Sequence, residues 1–136
     1  NMSAIIISHD LGVVAGRTDK LAVMYASQVV ETGATADVFG RHRHQYTSAL
    51  LRSIPDIEAE IHTKLATIPG SPRRNTPDVV GCRFAPRCTA ATEKCHEDDP
   101  APAFDEGSAD HWYRCHWPTP SPGGSTGIRL AKAGRE

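Results

Sequence analysis

The chain has 136 residues, of which 39% are hydrophobic and 23% charged, and its formal net charge is -1 at pH 7. This length suits one ordinary domain or two small ones, and the near-neutral charge argues against nonspecific binding to nucleic acid. No stretch approaches the ~18 apolar residues of a membrane span and no signal peptide opens the chain. We therefore expect a cytoplasmic protein, a class in which disulfides are rare.

Composition divides the chain, because all 10 prolines lie at or after Pro55 and most aliphatic runs lie before it. Residues 1–55 are predicted to form an α/β unit of strands and short helices. Residues 56–80 read as a Pro-rich connection, 81–117 as an irregular cysteine-rich metal-binding extension, and 118–136 as a disordered tail.

The first predicted element is a strand over residues 1–8. Its run Ala4-Ile5-Ile6-Ile7 is continuous and mostly β-branched, which is typical of a strand buried on both faces. Such a strand needs neighbours, and little sequence precedes it, so the chain is expected to be a fragment without its upstream half. Apolar residues at 11, 14 and 15 then indicate a short helix, which Ser8 or Asp10 can cap.

A hairpin and two helices follow. Residues 21–25 and 28–31 read as strands joined by the tight turn Ala26-Ser27. A short helix is predicted from a cap at Thr35 to an end at Gly40, and a second over Tyr46 to Ile54. Between them the basic run at 41–44 is expected to be a solvated turn.

Four cysteines, the only ones in the chain, follow the spacing C-x5-C-x6-C-x19-C: Cys82, Cys88, Cys95 and Cys115. Metal ligation is favoured over two disulfides in a cytoplasmic chain. Zinc sites usually use C-x2–4-C pairs, which these gaps do not match, whereas iron–sulfur clusters accept more varied spacings. Free structural thiols stay possible, as does a Cys3His set that uses His96, His111 or His116. A helical turn is predicted over 92–95 and a strand over 111–116.

Several stretches together resemble one family: Ile5-Ile6-Ile7-Ser8-His9-Asp10-Leu11-Gly12-Val13-Val14, Val23-Met24-Tyr25-Ala26, Val30-Glu31-Thr32-Gly33, His44-Gln45-Tyr46-Thr47, Leu50-Leu51-Arg52-Ser53-Ile54-Pro55, Ile68-Pro69-Gly70 and Gly81-Cys82-Arg83-Phe84-Ala85-Pro86-Arg87-Cys88. They resemble the C-terminal half of the ATP-binding subunit of bacterial oligopeptide/dipeptide ABC transporters. The resemblance covers roughly residues 3–117 and implies the C-terminal part of an ABC ATPase nucleotide-binding domain.

The resemblance also implies site residues and cofactors. His9, which on residue type alone is an ordinary loop histidine, becomes the catalytic switch histidine that contacts the ATP γ-phosphate, and Asp10 is expected to support its loop. ATP with Mg²⁺ is the implied nucleotide. Cys82, Cys88, Cys95 and Cys115 become ligands of a 4Fe–4S cluster, with zinc as the alternative.

The implied partners are a second ATP-binding subunit in a head-to-tail dimer, membrane permease subunits and, indirectly, a peptide-binding protein, with no nucleic acid. The implied location is the inner face of the cell membrane. Three residues depart from the family pattern, Ser27, Gln45 and Thr89, and none removes a chemical group.

The chain contains no G-x-x-x-x-G-K-[ST] phosphate loop, no ABC signature and no apolar strand ending in Asp-Glu. We therefore predict that this chain alone does not hydrolyse ATP. The alternative to a transport ATPase is a small cytoplasmic metal-binding interaction module.

Overall fold

The computed structural model describes residues 3–54, 67–71 and 79–120. Its elements are α1 (Leu11–Val14), β1 (Lys20–Tyr25), β2 (Gln28–Ala34), α2 (Thr35–Arg41), α3 (Gln45–Arg52), a 3₁₀ turn (Ala85–Arg87), α4 (Glu93–Glu97), β3 (Ala103–Phe104) and β4 (Trp112–Tyr113). The strands form one antiparallel sheet in the order β1-β2-β4-β3. The predicted α/β class is confirmed at this level, whereas most of the predicted tail and of the Pro-rich connection lies outside the described residues.

The predicted hairpin between β1 and β2 is confirmed. Ala26 and Ser27 both have positive φ angles, 46° and 63°, as the two central residues of a type I′ turn require. The register shifts between Val23 and Met24, so a bulge adds local twist next to the turn. The hairpin forms without glycine at Ser27, at the cost of a left-handed backbone that serine adopts reluctantly.

The prediction of a buried strand over residues 1–8 is wrong for this chain. Residues 3–8 form no strand, and the side chains of Ile5 and Ile7 are 94% and 95% exposed. A strand requires a partner to pair its backbone groups, and no described strand lies beside this segment. Strand propensity alone therefore does not fold it.

The main core joins the hairpin to the cysteine segment. Buried Val23, Tyr25, Val30 and Val38 pack with Phe84. The Phe84 ring centroid lies 5.3 Å from that of Tyr25 in an edge-on arrangement, a favourable aromatic geometry. The cysteine segment therefore shares the core of the N-terminal part, and β4 extends the same sheet next to β2.

Both helices beside the basic run start one residue earlier than predicted. Helix α2 begins after Ala34, so Thr35 is its first residue, and Gly40 lies inside the helix. Helix α3 begins after His44, whose Nδ1 accepts the backbone N–H of Tyr46 at 3.0 Å. The imidazole thus acts as the helix cap, a role more often filled by Ser, Thr, Asp or Asn.

The interpretation of residues 41–44 as a solvated turn is wrong. The side chains of His42 and His44 are buried, and the run is covered by the chain near Thr119. The Thr119 hydroxyl donates to the His42 carbonyl, and the Thr119 backbone N–H donates to the Arg43 carbonyl at 2.9 Å. Charge density in sequence suggested solvent exposure, but a segment some 75 residues away covers this turn.

Candidate functional site

The four cysteines lie around one pocket. Cys82 and Cys88 flank the 3₁₀ turn, Cys95 lies in α4 and Cys115 follows β4. All four are free thiols, and all four line one small pocket together with Phe84, Trp117 and neighbouring residues. Folding therefore gathers the four predicted ligands at one place.

Gly81 allows this convergence. Its φ angle is +78°, and a Cβ atom there would lie 2.7 Å from the Cys95 carbonyl oxygen and closer still to the His96 carbonyl group. The close approach lets the Cys82 backbone N–H donate to the Cys95 carbonyl at 2.8 Å. Only glycine combines this backbone conformation with so little space, so the residue before the first cysteine holds that cysteine against α4.

Each cysteine sulfur has a hydrogen-bonding neighbour. Backbone N–H groups of Phe84 and Ala85 face the Cys82 sulfur, that of Ala90 faces Cys88, and those of Gln45 and Trp117 face Cys115. The Cys95 sulfur lies 3.8 Å from the Thr92 hydroxyl oxygen. Donors directed at sulfur stabilise thiolates, the form that binds metals.

Burial opposes these donors. It raises the pKa of the Cys82 and Cys88 thiols and raises the pKa of Cys115 to about 11, and charge on the neighbouring cysteines raises all three further. These three thiols are thus neutral at pH 7 in the absence of a cation. A bound metal supplies the positive charge that reverses this balance and deprotonates a coordinating thiol.

Of the three candidate histidines, His116 lines this pocket, whereas His96 and His111 do not. His111 is fully buried, and its Nε2 lies 2.7 Å from the Glu31 Oε1 in the main sheet, so its place in a Cys3His set is ruled out. His116 lines the pocket, but its Nε2 lies 2.9 Å from the Asp98 carbonyl oxygen. Within the described ranges, no three His, Cys, Asp or Glu side chains form a group that could hold a metal ion, so the cysteine ligand set stays a prediction.

A buried polar network between β2 and β4 was missed by sequence reasoning. Glu31 accepts the backbone N–H of Arg43 at 2.6 Å and that of His44 at 3.0 Å, besides its contact with His111. The other ring nitrogen of His111, Nδ1, lies 3.8 Å from a carboxylate oxygen of Asp105, and Asp105 also pairs with Arg43. Neither the spacing nor the residue types of these groups signals the network, because its members are brought together only by the long-range pairing of β2 with β4.

His9 lies in an exposed loop directly before α1. The Ser8 hydroxyl oxygen accepts the Asp10 backbone N–H at 3.0 Å, and the Asp10 carboxylate caps α1 by accepting the Gly12 N–H at 2.8 Å. The two flanking residues thus shape the loop, and the His9 imidazole is presented to solvent.

Among the described residues there is no helix long and apolar enough to cross a membrane.

Residues 30–95 match the family model described as oligopeptide/dipeptide transporter, C-terminal region.

Known relatives cover more of the chain. It is 46% identical over 112 residues to a putative peptide import ATP-binding protein of Brucella abortus, covering 80% of this chain and 32% of the relative. It is 39% identical over 126 residues to the dipeptide transport ATP-binding protein DppD of Escherichia coli, covering 93% of this chain and 38% of the relative. It is 48% identical over 103 residues to the oligopeptide transport ATP-binding protein AppD of Bacillus subtilis, covering 74% of this chain and 30% of the relative.

The chain thus spans about a third of the length of these relatives. The family model and the relatives agree on the same assignment. The chain belongs to the family of ATP-binding proteins of oligopeptide and dipeptide ABC transporters, and it corresponds to their C-terminal region.

Proposed function

We propose that this chain is the C-terminal part of an ATP-binding subunit that energises oligopeptide or dipeptide import. The observation that carries the proposal is the similarity to peptide-import ATP-binding proteins over most of the chain. In that setting the subunit dimerises head to tail, sandwiches ATP with Mg²⁺ and docks on permease subunits at the inner face of the cell membrane. The alternative, a metal-binding module unrelated to transport, is not favoured by these relatives.

Within this function His9 acts as the switch histidine. Its exposed imidazole, in a loop braced by Ser8 and Asp10, is free to hydrogen-bond the transferring γ-phosphoryl group and to orient the attacking water. The phosphate loop, the signature and the catalytic carboxylate have no counterpart in this chain. Hydrolysis therefore depends on residues outside it.

The test is His9→Ala in a protein that joins this chain to the phosphate-loop part of the ATPase. We expect turnover to fall by more than tenfold with little change in nucleotide affinity, because the histidine acts on the transition state. The matched control is His96→Ala, which removes another exposed histidine. Unchanged turnover in His9→Ala would remove its catalytic role.

We further propose that Cys82, Cys88, Cys95 and Cys115 hold a 4Fe–4S cluster. The chemistry of the donor set fits, since four thiols line one pocket and donors face each sulfur. Tetrahedral zinc with Zn–S bonds of about 2.3 Å needs sulfurs only ~3.8 Å apart, whereas a cluster accepts thiolates spread around a larger body. The spacing of the cysteines, with five and six residues in the first two gaps, favours the cluster over zinc.

When bound, the cluster supplies cross-links that stabilise the segment, because the site forms only in the folded chain. The test is anaerobic purification followed by iron, sulfide and zinc analysis with an absorption spectrum. We expect about four irons and four sulfides per chain, as the cluster's formula requires. Each Cys→Ser variant should lose iron and expose residues 81–116 to protease. One zinc per chain would mean that the site holds zinc and not the cluster. If neither metal is found, the thiols are packing residues.

A further inference from the structure

A second cavity lies beside the cysteine pocket, bounded by α3, the 3₁₀ turn and residues 67–69. Its volume is about 220 Å³, which is below the ~300–1,000 Å³ of sites for drug-sized ligands and therefore suits a smaller molecule. On the α3 side it is lined by Gln45, Ala49 and Arg52, whose i, i+4, i+7 spacing places them on one face of the helix.

Arg52 and Arg87 supply the charge of this cavity. Its described lining residues include no Asp, Glu, Lys or His, so both formal charges are positive. In the part of the chain that the structure describes, neither arginine lies within ion-pair distance of a carboxylate, whereas Arg41, Arg43 and Arg114 each do. A cleft lined by charges of one sign concentrates ions of the opposite sign, so the two guanidinium groups favour an anion.

Arg87 is fixed by the chain around it. Its Nε donates to the Pro69 carbonyl at 2.9 Å, and its terminal nitrogens donate to the Ile68 carbonyl at 3.2 Å and to the Tyr25 hydroxyl at 3.4 Å. These contacts use three of the five guanidinium N–H groups and leave two for a ligand. Because the side chain is already held in place, binding costs little further rotamer freedom.

Further donors come from more exposed side chains. Arg52 uses its Nε for the Ser48 carbonyl at 3.3 Å, so the N–H groups of both terminal nitrogens remain for a ligand. The exposed residues Thr67 and Thr89 also line the cavity, and each brings a hydroxyl. The donors therefore come from three separate segments that border the same space.

The rest of the lining is mostly apolar and includes Ile68, Pro69 and the buried ring of Phe84. An inorganic ion leaves such a surface uncovered, whereas an anion with an apolar body removes it from water. Guanidinium groups bind carboxylates through two parallel hydrogen bonds. An ammonium group beside that carboxylate would face the guanidinium charges with no acidic partner in the described lining.

We propose that this cavity binds a small monocarboxylate that has an apolar body and no ammonium group, with Arg52 and Arg87 holding the carboxylate. The four cysteines and His9 are not among the described lining residues. Binding here therefore requires neither a metal at the cysteine pocket nor ATP, and the inference stands apart from both proposals made above.

The test is calorimetric titration of the 136-residue chain with isocaproate, which has one carboxylate and a branched apolar body. Isocaproamide keeps the body without the charge, leucine adds an ammonium group to the same body, and inorganic phosphate is an anion without a body. We expect saturable binding of isocaproate and about tenfold weaker binding of the other three. If any of the three bound as tightly as isocaproate, or if isocaproate showed no saturable binding, the proposal would be overturned.

Three variants locate the site. Arg52→Gln should weaken isocaproate binding about tenfold, whereas the matched control Arg17→Gln, at another exposed arginine outside the cavity, should leave the affinity unchanged. Both arginines are exposed, so neither change should disturb the fold. Ala49→Leu keeps both cavity arginines and fills the space from α3 with a residue that favours helix, so it should abolish binding. Wild-type affinity in Arg52→Gln or Ala49→Leu, or an equal loss in Arg17→Gln, would also overturn the proposal.

Discussion

Replacing Glu31 by glutamine should destabilise the fold, because it removes one of the two oxygen atoms that accept hydrogen bonds there. The Glu31 side chain has no solvent exposure. Its Oε1 accepts the backbone N–H of Arg43 at 2.6 Å and the His111 Nε2–H at 2.7 Å, and its Oε2 accepts the backbone N–H of His44 at 3.0 Å. One carboxylate therefore joins β2, the turn before α3 and the segment that carries β4.

The magnitude follows from the donors that glutamine leaves without an acceptor. An amide has one oxygen, so its NH₂ group must face donors on one side. The better orientation keeps the oxygen toward Arg43 and His111 and leaves the His44 N–H and the amide hydrogens unpaired. Each buried unsatisfied group costs about 1–3 kcal/mol, and the two remaining bonds lose their charge assistance. We expect Glu31→Gln to lower the free energy of unfolding by about 3 kcal/mol, out of a typical ~5–15 kcal/mol.

Urea unfolding at pH 7, followed by the fluorescence of Trp112 and Trp117, measures this difference. The matched control is Asp110→Asn, which also converts a carboxylate to an amide but at an exposed pair with Lys20, whose side chains are 72% and 69% exposed. Such surface changes usually stay within about 0.5 kcal/mol. If Glu31→Gln matched the control, the carboxylate would not be what joins these segments.

Two further substitutions test the cysteine pocket and the buried turn. Gly81→Ala should disrupt the pocket and cut iron retention several-fold, because a Cβ would overlap the Cys95 and His96 backbone. The control is Gly40→Ala in α2, where a Cβ meets nothing within 4 Å, and which should be neutral or stabilising by about 0.5–1 kcal/mol. Equal iron content in the two variants would contradict the packing argument. Burial lowers the pKa of His44 to about 4 from 6.5, so the unfolded chain binds this proton first as the pH falls. Stability present above pH 6.5 should therefore be lost toward pH 4, by up to about 3 kcal/mol, and His44→Asn, which can still cap α3, should flatten that slope in urea titrations.

The parts of the fold that sequence predicts well are those decided by local geometry. The Ala26-Ser27 turn followed from two short β-rich runs separated by two residues, and the helix after His44 from apolar spacing. Each of these depends on neighbours a few residues apart, where propensity and turn chemistry dominate.

The parts that sequence could not predict depend on distant partners. The Arg41–His44 run looks like a solvated turn because its charges are visible and its covering segment, near Thr119, is not. The Ile-rich segment at residues 4–7 has every local feature of a buried strand, and it remains exposed because a strand is completed only by pairing. Burial is a property of the partner as much as of the segment.

The same argument explains why the cysteine segment is not an appendage. Its Phe84 fills the main core, its β4 pairs with β2, and its Trp117 carbonyl holds Gln45 at the start of α3. Cys115 lies between the last two of these contacts along the chain, and Arg114 before it donates its backbone N–H to the Val30 carbonyl at 2.8 Å. A metal held at the pocket, as proposed above, would therefore restrain β2 through the residues next to Cys115. A change at the cysteines and a change at Glu31 act on the same few strands, so we expect loss of the proposed ligation to weaken the sheet as well.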